Sequence, residues 1–233
     1  TTQFIERELK KHGLKLVKVN YPTGVIAELA TGRKGPTVAI RADIDALPVL
    51  EKARVSFRST VPGVMHACGH DVHTSVALGT AALLAGMKPE LKGNVRFIFQ
   101  PAEETPPGGA IPMIASGALK NVDMIFGLHV DPHLEVGKIG VRDGAVFAAN
   151  YDFDVIIRGK AGHGARPHLA VDAITVAAQV INRVQHVVAR ETDPTEPLVV
   201  SFGEIHGGTA RNVVADTVTM TGTARWLSRK LDG

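Results

Sequence analysis

Short apolar runs alternate with amphipathic stretches along the first half of the chain. Residues 2–11 have the polar, amphipathic spacing of a helix, ended by Gly13. Residues 14–19 and 25–29 predict short strands on either side of the turn Tyr21-Pro22-Thr23-Gly24. Residues 37–42 form an apolar strand that runs into the acidic Asp43-Ile44-Asp45. A helix is predicted over 73–86 and a β-rich strand over 95–99. That strand is followed at once by Gln100-Pro101-Ala102-Glu103-Glu104. Another helix begins over 111–115, and a strand over 124–130 carries His129 near its end. This alternation predicts an α/β domain with a largely parallel sheet. In such sheets functional groups gather at the carboxyl ends of strands. Asp43, Asp45, Glu103, Glu104 and His129 all follow or end a predicted strand, so they are grouped into one site.

The pattern changes near residue 150. Residues 151–159 alternate like a half-exposed strand, 173–189 are a long amphipathic helix, and 198–205 and 217–225 alternate again. The β-α-β-β order suggests a small antiparallel α+β unit, which a further helix and strand would complete as a ferredoxin-like fold. The expected domains are therefore 1–148, α/β, and 149–233, α+β and incomplete.

Composition narrows the function. Net charge is only +3, the basic residues are dispersed and aromatics make up 5%, so a nucleic-acid partner is not expected. No apolar run reaches the ~18 residues of a membrane span, and residues 76–87 read as a buried helix. A single cysteine cannot form an internal disulfide, which fits a reducing compartment, most simply the cytoplasm.

That cysteine lies in Met65-His66-Ala67-Cys68-Gly69-His70-Asp71-Val72-His73, a stretch rich in the side chains that bind a metal such as zinc. Cys68 and His70, one residue apart, can aim at one point in a turn. Of the adjacent Glu103 and Glu104, one carboxylate can hold a metal while its neighbour takes the proton of a metal-bound water. Taken singly, each of these residues has an ordinary structural reading: a buried thiol, a solvated turn, a strand-end imidazole. A different class of function also remains open, with Cys68 as a thiol nucleophile and His70 or His73 as its base.

Four segments then appear in order: Ala39-Ile40-Arg41-Ala42-Asp43-Ile44-Asp45-Ala46-Leu47-Pro48, the cysteine cluster, Gln100-Pro101-Ala102-Glu103-Glu104 and Gly127-Leu128-His129-Val130. The series resembles the amidohydrolase branch of the aminoacylase/carboxypeptidase-type dinuclear metallopeptidase family, over almost the whole chain from about Val25. That branch includes hippurate hydrolases, auxin-conjugate hydrolases and N-acetyl-diaminopimelate deacetylases. The resemblance implies a catalytic α/β domain with an inserted lid and dimerisation domain. It implies two divalent metals, zinc first, with manganese, cobalt or nickel as alternatives. Cys68, His70, Glu104 and His129 match the ligands, and Glu103 matches the general base. Asp45 matches a helper aspartate beside a ligand. Asp43 stands where related branches have a metal-binding His, and is not assigned as a ligand.

In the second region, Gly159-Lys160-Ala161-Gly162-His163-Gly164-Ala165-Arg166-Pro167-His168 resembles the lid motif, with His163 as the oxyanion-stabilising residue. Gly207-Gly208-Thr209-Ala210-Arg211-Asn212-Val213-Val214 resembles a substrate-binding segment. It makes Asn212 a candidate and Arg211 a possible partner for a substrate carboxylate. The implied function is hydrolysis of the amide bond of N-acyl amino acids or related conjugates, by a homodimer paired through the lid. Members of this branch continue beyond the equivalent of Gly233, return to the catalytic domain and supply a last metal-binding His. The expectation is therefore a C-terminally incomplete chain, one ligand short. Its alternative function is that of a non-catalytic metal-binding or dimer-forming fragment.

Overall fold

A computed structural model of the chain describes residues 1–231. The chain divides into two compact units, Thr1–Val136 and the residues from Gly137 on. No helix among the described residues is long and apolar enough to cross a membrane.

The first unit opens with α1 (Thr2–Lys11), which buries Ile5 and Leu9. Five strands, β1 (Lys15–Val17), β2 (Val25–Ala30), β3 (Thr37–Asp43), β4 (Asn94–Gln100) and β5 (Met124–Gly127), form one sheet in the order β1-β2-β4-β3-β5. Helix α2 (His70–Gly86) lies between β3 and β4 in the chain, and α3 (Ala110–Ala115) between β4 and β5. The two-residue period of the strands sorts their side chains to two faces. Ala27, Phe97, Phe99 and Ala42 pack with Ile5 and Leu9 of α1 and Ala77 and Ala81 of α2. Ile26, Ala39 and Ile98 pack with Met113 of α3 and Ala118. The result is a sheet between two helical layers.

The sheet is mixed rather than mostly parallel. β3 runs parallel to both β4 and β5, whereas β1–β2 and β2–β4 are antiparallel. Connection length explains the split. The turn from Lys18 to Gly24 is too short for a crossover, while β3 reaches β4 through α2. Two of the boundaries that move bear on the site. α2 starts at His70, so both His70 and His73 lie in its first turn. β5 stops at Gly127 and leaves His129 in the following loop.

In the second unit, β6 (Ala149–Arg158), β8 (Leu198–Gly207) and β10 (Thr217–Trp226) form an antiparallel sheet in the order β6-β10-β8. Helix α4 (Ala173–Arg190) connects β6 to β8. Its Ala173, Ala177, Val180 and Ile181 cover Val155, Ile157, Phe202, Val218 and Met220. A two-strand ribbon, β7 (Gly162–His163) with β9 (Val213–Val214), is an element the residue pattern does not predict.

Candidate metal centre

Strand register builds the floor of the site. Asp43 lies opposite Gln100, and Arg41 opposite Gly127, on three parallel strands. Residues just past those ends, namely Asp45, Glu103 with Glu104, and His129, therefore leave the sheet along one edge. Gly69 brings in the cysteine cluster. It caps α2 with a left-handed φ of +83°, and a Cβ there would lie 2.4 Å from Val130 Cγ2. Only glycine takes that conformation and that proximity at low cost. The turn sets Cys68 and His70 toward the loop that carries His129.

His70 is the hub. Its Nδ1 donates to the Asp45 carbonyl at 3.1 Å and to Asp45 Oδ1 at 3.2 Å, which leaves the lone pair on Nε2. That Nε2 is buried with no hydrogen-bond partner. Asp43 Oδ2 is 3.7 Å from it and Glu104 Oε1 3.8 Å. Ligand-type atoms of Cys68, His70 and His129 lie within 4.8 Å of one another, and so do those of His70, Glu103 and Glu104. Cys68 Sγ is 3.4 Å from His129 Nε2, while His129 Nδ1 donates to the Val130 carbonyl at 2.8 Å. An unpartnered buried nitrogen among thiol, imidazole and carboxylate groups is an arrangement that a divalent cation satisfies. The residues present fit a metal.

The two glutamates differ. Glu104 is half-buried, and its N–H donates to Asp45 Oδ2 at 3.0 Å, so one aspartate holds both His70 and Glu104. Glu103 is exposed. Ala102, just before the pair, has φ 49° despite its Cβ, a strain of the kind retained at functional sites.

Electrostatics argue against a thiol nucleophile. Burial pushes the Cys68 thiol up to about 11, helped by its hydrogen bond with Glu104 and the charges of Glu104, Glu103 and Asp43. Reactive thiolates need electropositive surroundings instead. Asp43 goes the other way. Burial raises it, but the His73 hydrogen bond and the Arg41 charge outweigh burial and hold its carboxyl below the usual range.

His73 enters the sequence reading only as a candidate base beside Cys68. In the structure its Nε2 accepts the Val130 N–H at 3.0 Å, and its Nδ1 is 2.5 Å from Asp43 Oδ1. Both nitrogens are engaged, so His73 is not a ligand, although Asp43, His70 and His73 lie close enough to suggest a third group. Its signal is the i,i+3 spacing from His70 on one helix face, which is legible only if the helix starts at His70.

In the second unit the ribbon joins the two remaining motifs. His163 pairs with Val213, and Gly164 N–H donates to the Asn212 carbonyl at 2.7 Å. His163 Nδ1 accepts the Ala165 N–H at 3.1 Å, which places the proton of the neutral ring on Nε2. Arg211, Asn212 and His163 are all exposed.

The model of peptidase family M20/M25/M40 matches residues 39–224. The chain belongs to this family. It is 45% identical to the N-acyl-L-amino acid amidohydrolase of Geobacillus stearothermophilus, over 99% of this chain and 62% of that protein. It is 41% identical to thermostable carboxypeptidase 2 of Saccharolobus solfataricus, over 99% of this chain and 59% of that one. Among solved structures, a dinuclear metal-binding M20 peptidase of Bacillus subtilis superimposes with a TM-score of 0.84 at 41% identity. That match covers 99% of this chain and 59% of the other. The M20 chain described here thus spans about three-fifths of the length of these relatives.

Proposed function

We propose that this chain carries a dinuclear metal centre for hydrolysis of the amide bond of N-acyl amino acids or related conjugates. The observation that carries the reading is His70 Nε2, buried, unpartnered and flanked by carboxylates. Cys68, His70, Glu104 and His129 are the ligands in this reading. The mixed thiolate, imidazole and carboxylate set favours zinc, with manganese, cobalt and nickel as alternatives. Names of similar proteins, an N-acyl-L-amino acid amidohydrolase and a carboxypeptidase, support the substrate class.

When bound, the metals supply a water of lowered pKa and positive charge for the scissile carbonyl. The exposed Glu103 accepts the proton of the attacking water and returns it to the leaving amine as the C–N bond breaks. Asp45 fixes the His70 ring through Nδ1 and the Glu104 backbone through its N–H, so both ligands keep their aim. The family resemblance assigns the tetrahedral oxyanion to His163, and a proton on Nε2 suits a donor. By the same resemblance Asn212 and Arg211 bind substrate. The second unit serves as an α+β, ferredoxin-like lid through which two copies pair; sedimentation equilibrium that finds only monomer removes the pairing.

Glu103→Ala separates ligand from base. The variant is expected to bind as much metal as the wild type while turnover of an N-acetyl amino acid falls by roughly 10²–10⁴-fold. Undiminished turnover removes the role given to Glu103, and lost metal makes Glu103 a ligand instead.

A further inference from the structure

His73 lies outside the ligand set, yet its ring joins three parts of the first unit. It sits fully buried in the first turn of α2. Its Nε2 accepts the Val130 N–H at 3.0 Å from the loop after β5, so its proton is on Nδ1. Nδ1 donates to Asp43 Oδ1, 2.5 Å away at the end of β3. Asp43 is held in turn. Arg41 Nη1 donates to its Oδ2 at 2.6 Å, and the Thr74 hydroxyl donates to its carbonyl at 3.1 Å. Arg41 Nε is tied to Gln100 Oε1 at 3.1 Å, at the end of β4. The carbonyl of the same residue, Val130, leads to the metal cluster. His129 donates through Nδ1 to the Val130 carbonyl, and its Nε2 faces Cys68 Sγ. The rings of His73 and His129 meet edge to face, with centroids 4.5 Å apart.

We infer that His73 is a positioning residue. The Asp43–His73–Val130 clamp fixes the loop after β5, holds the His129 imidazole opposite Cys68, and so sets how tightly the Cys68/His129 side binds its metal. Without the ring, the Val130 N–H loses its acceptor and the Asp43 carboxylate loses a donor. The loop then has reason to move, because the lost bonds are those that oppose its displacement. The inference rests on reading the cluster as a metal centre.

The test is cobalt loading of the full protein and of two variants, read by the thiolate-to-cobalt charge-transfer band. That band reports the bond to Cys68 and does not depend on turnover. In His73→Leu neither hydrogen bond is possible. In His73→Gln the amide can donate to Asp43 and accept from Val130. H73L is expected to keep cobalt on the His70–Glu104 side and to lose the band at cobalt levels that saturate the wild type, its affinity there falling roughly 10–100-fold. H73Q is expected to keep the band. A folded H73L with the wild-type band and affinity overturns the inference, as does a folded H73Q as weak as H73L. Should H73L not fold, His73→Asn decides. Its shorter amide can serve Asp43 without reaching Val130, so the band should be lost, and an intact band again overturns the inference. A wild-type protein that takes up no cobalt is a separate failure, because it removes the metal centre itself.

Discussion

A methyl group at residue 69 would meet Val130 Cγ2 at 2.4 Å, and it would have to adopt a φ of +83°. Gly69→Ala is therefore expected to destabilise the fold by at least the ~1–2 kcal/mol of a left-handed non-glycine residue. It should also spread Cys68, His70 and His129 apart, so that denaturant melts and metal titrations both deteriorate. An unchanged metal affinity would separate the glycine from the site. Cys68 makes a prediction in pH. In metal-free protein, burial and then Glu104, Glu103 and Asp43 hold the thiol protonated up to about pH 11. Its alkylation rate should rise about tenfold per pH unit through pH 9 with no plateau. A plateau near neutrality would restore the thiol-nucleophile reading. Cys68, His70, Glu103, Glu104 and His129 are legible in the sequence because their side-chain chemistry is unusual and their motifs are long. Asp43 and His73 are less so, because their part is to hydrogen-bond one another and a loop far along the chain, and only the fold shows those partners.

Helix α4 shows how a local signal fixes an element. Asp172 Oδ1 accepts the N–H groups of Ile174 and Thr175, and Oδ2 accepts the Thr175 hydroxyl. The Thr175 hydroxyl and the two backbone donors hold the Asp172 carboxyl below its ordinary 3.8. A depressed carboxylate stabilises the fold above its unfolded value, and the contribution is lost as pH falls through the lower folded value. Asp172→Ala should thus melt earlier than the wild type near pH 7, and the gap should close below about pH 4. A gap that persists at pH 2 would show that the cap is not what the substitution removes. Long elements such as α1, α4, β6 and β10 are legible because their apolar spacing runs over several turns or pleats. The ribbon of β7 and β9 is not, because two residues per strand are too few to establish alternation. The start of α2 is misplaced for a related reason. The apolar pattern starts the helix at His73, whereas Gly69, with its positive φ, caps it and starts it at His70.

At the scale of the molecule, α/β alternation in the first unit and β-α-β-β order in the second follow from the pattern of apolar runs. The mixed sheet does not, since periodicity records which face a strand buries and not the direction of its neighbour. Direction comes from the connections: a short turn forces β1 and β2 antiparallel, and α2 carries the chain back so that β3 and β4 run parallel. Those parallel ends, with the start of α2, assemble the metal-type side chains, and on that assembly rests the hydrolysis proposed for this member of the M20/M25/M40 family. The decisive measurement is the rate of N-acetyl amino acid hydrolysis as zinc, manganese or cobalt is returned stepwise to chelator-treated full protein. The rate should start near zero, climb to a plateau at two metal ions per chain, and stay near zero in His70→Ala. Full hydrolysis without metal, or none with two metals bound, would contradict the dinuclear hydrolytic centre.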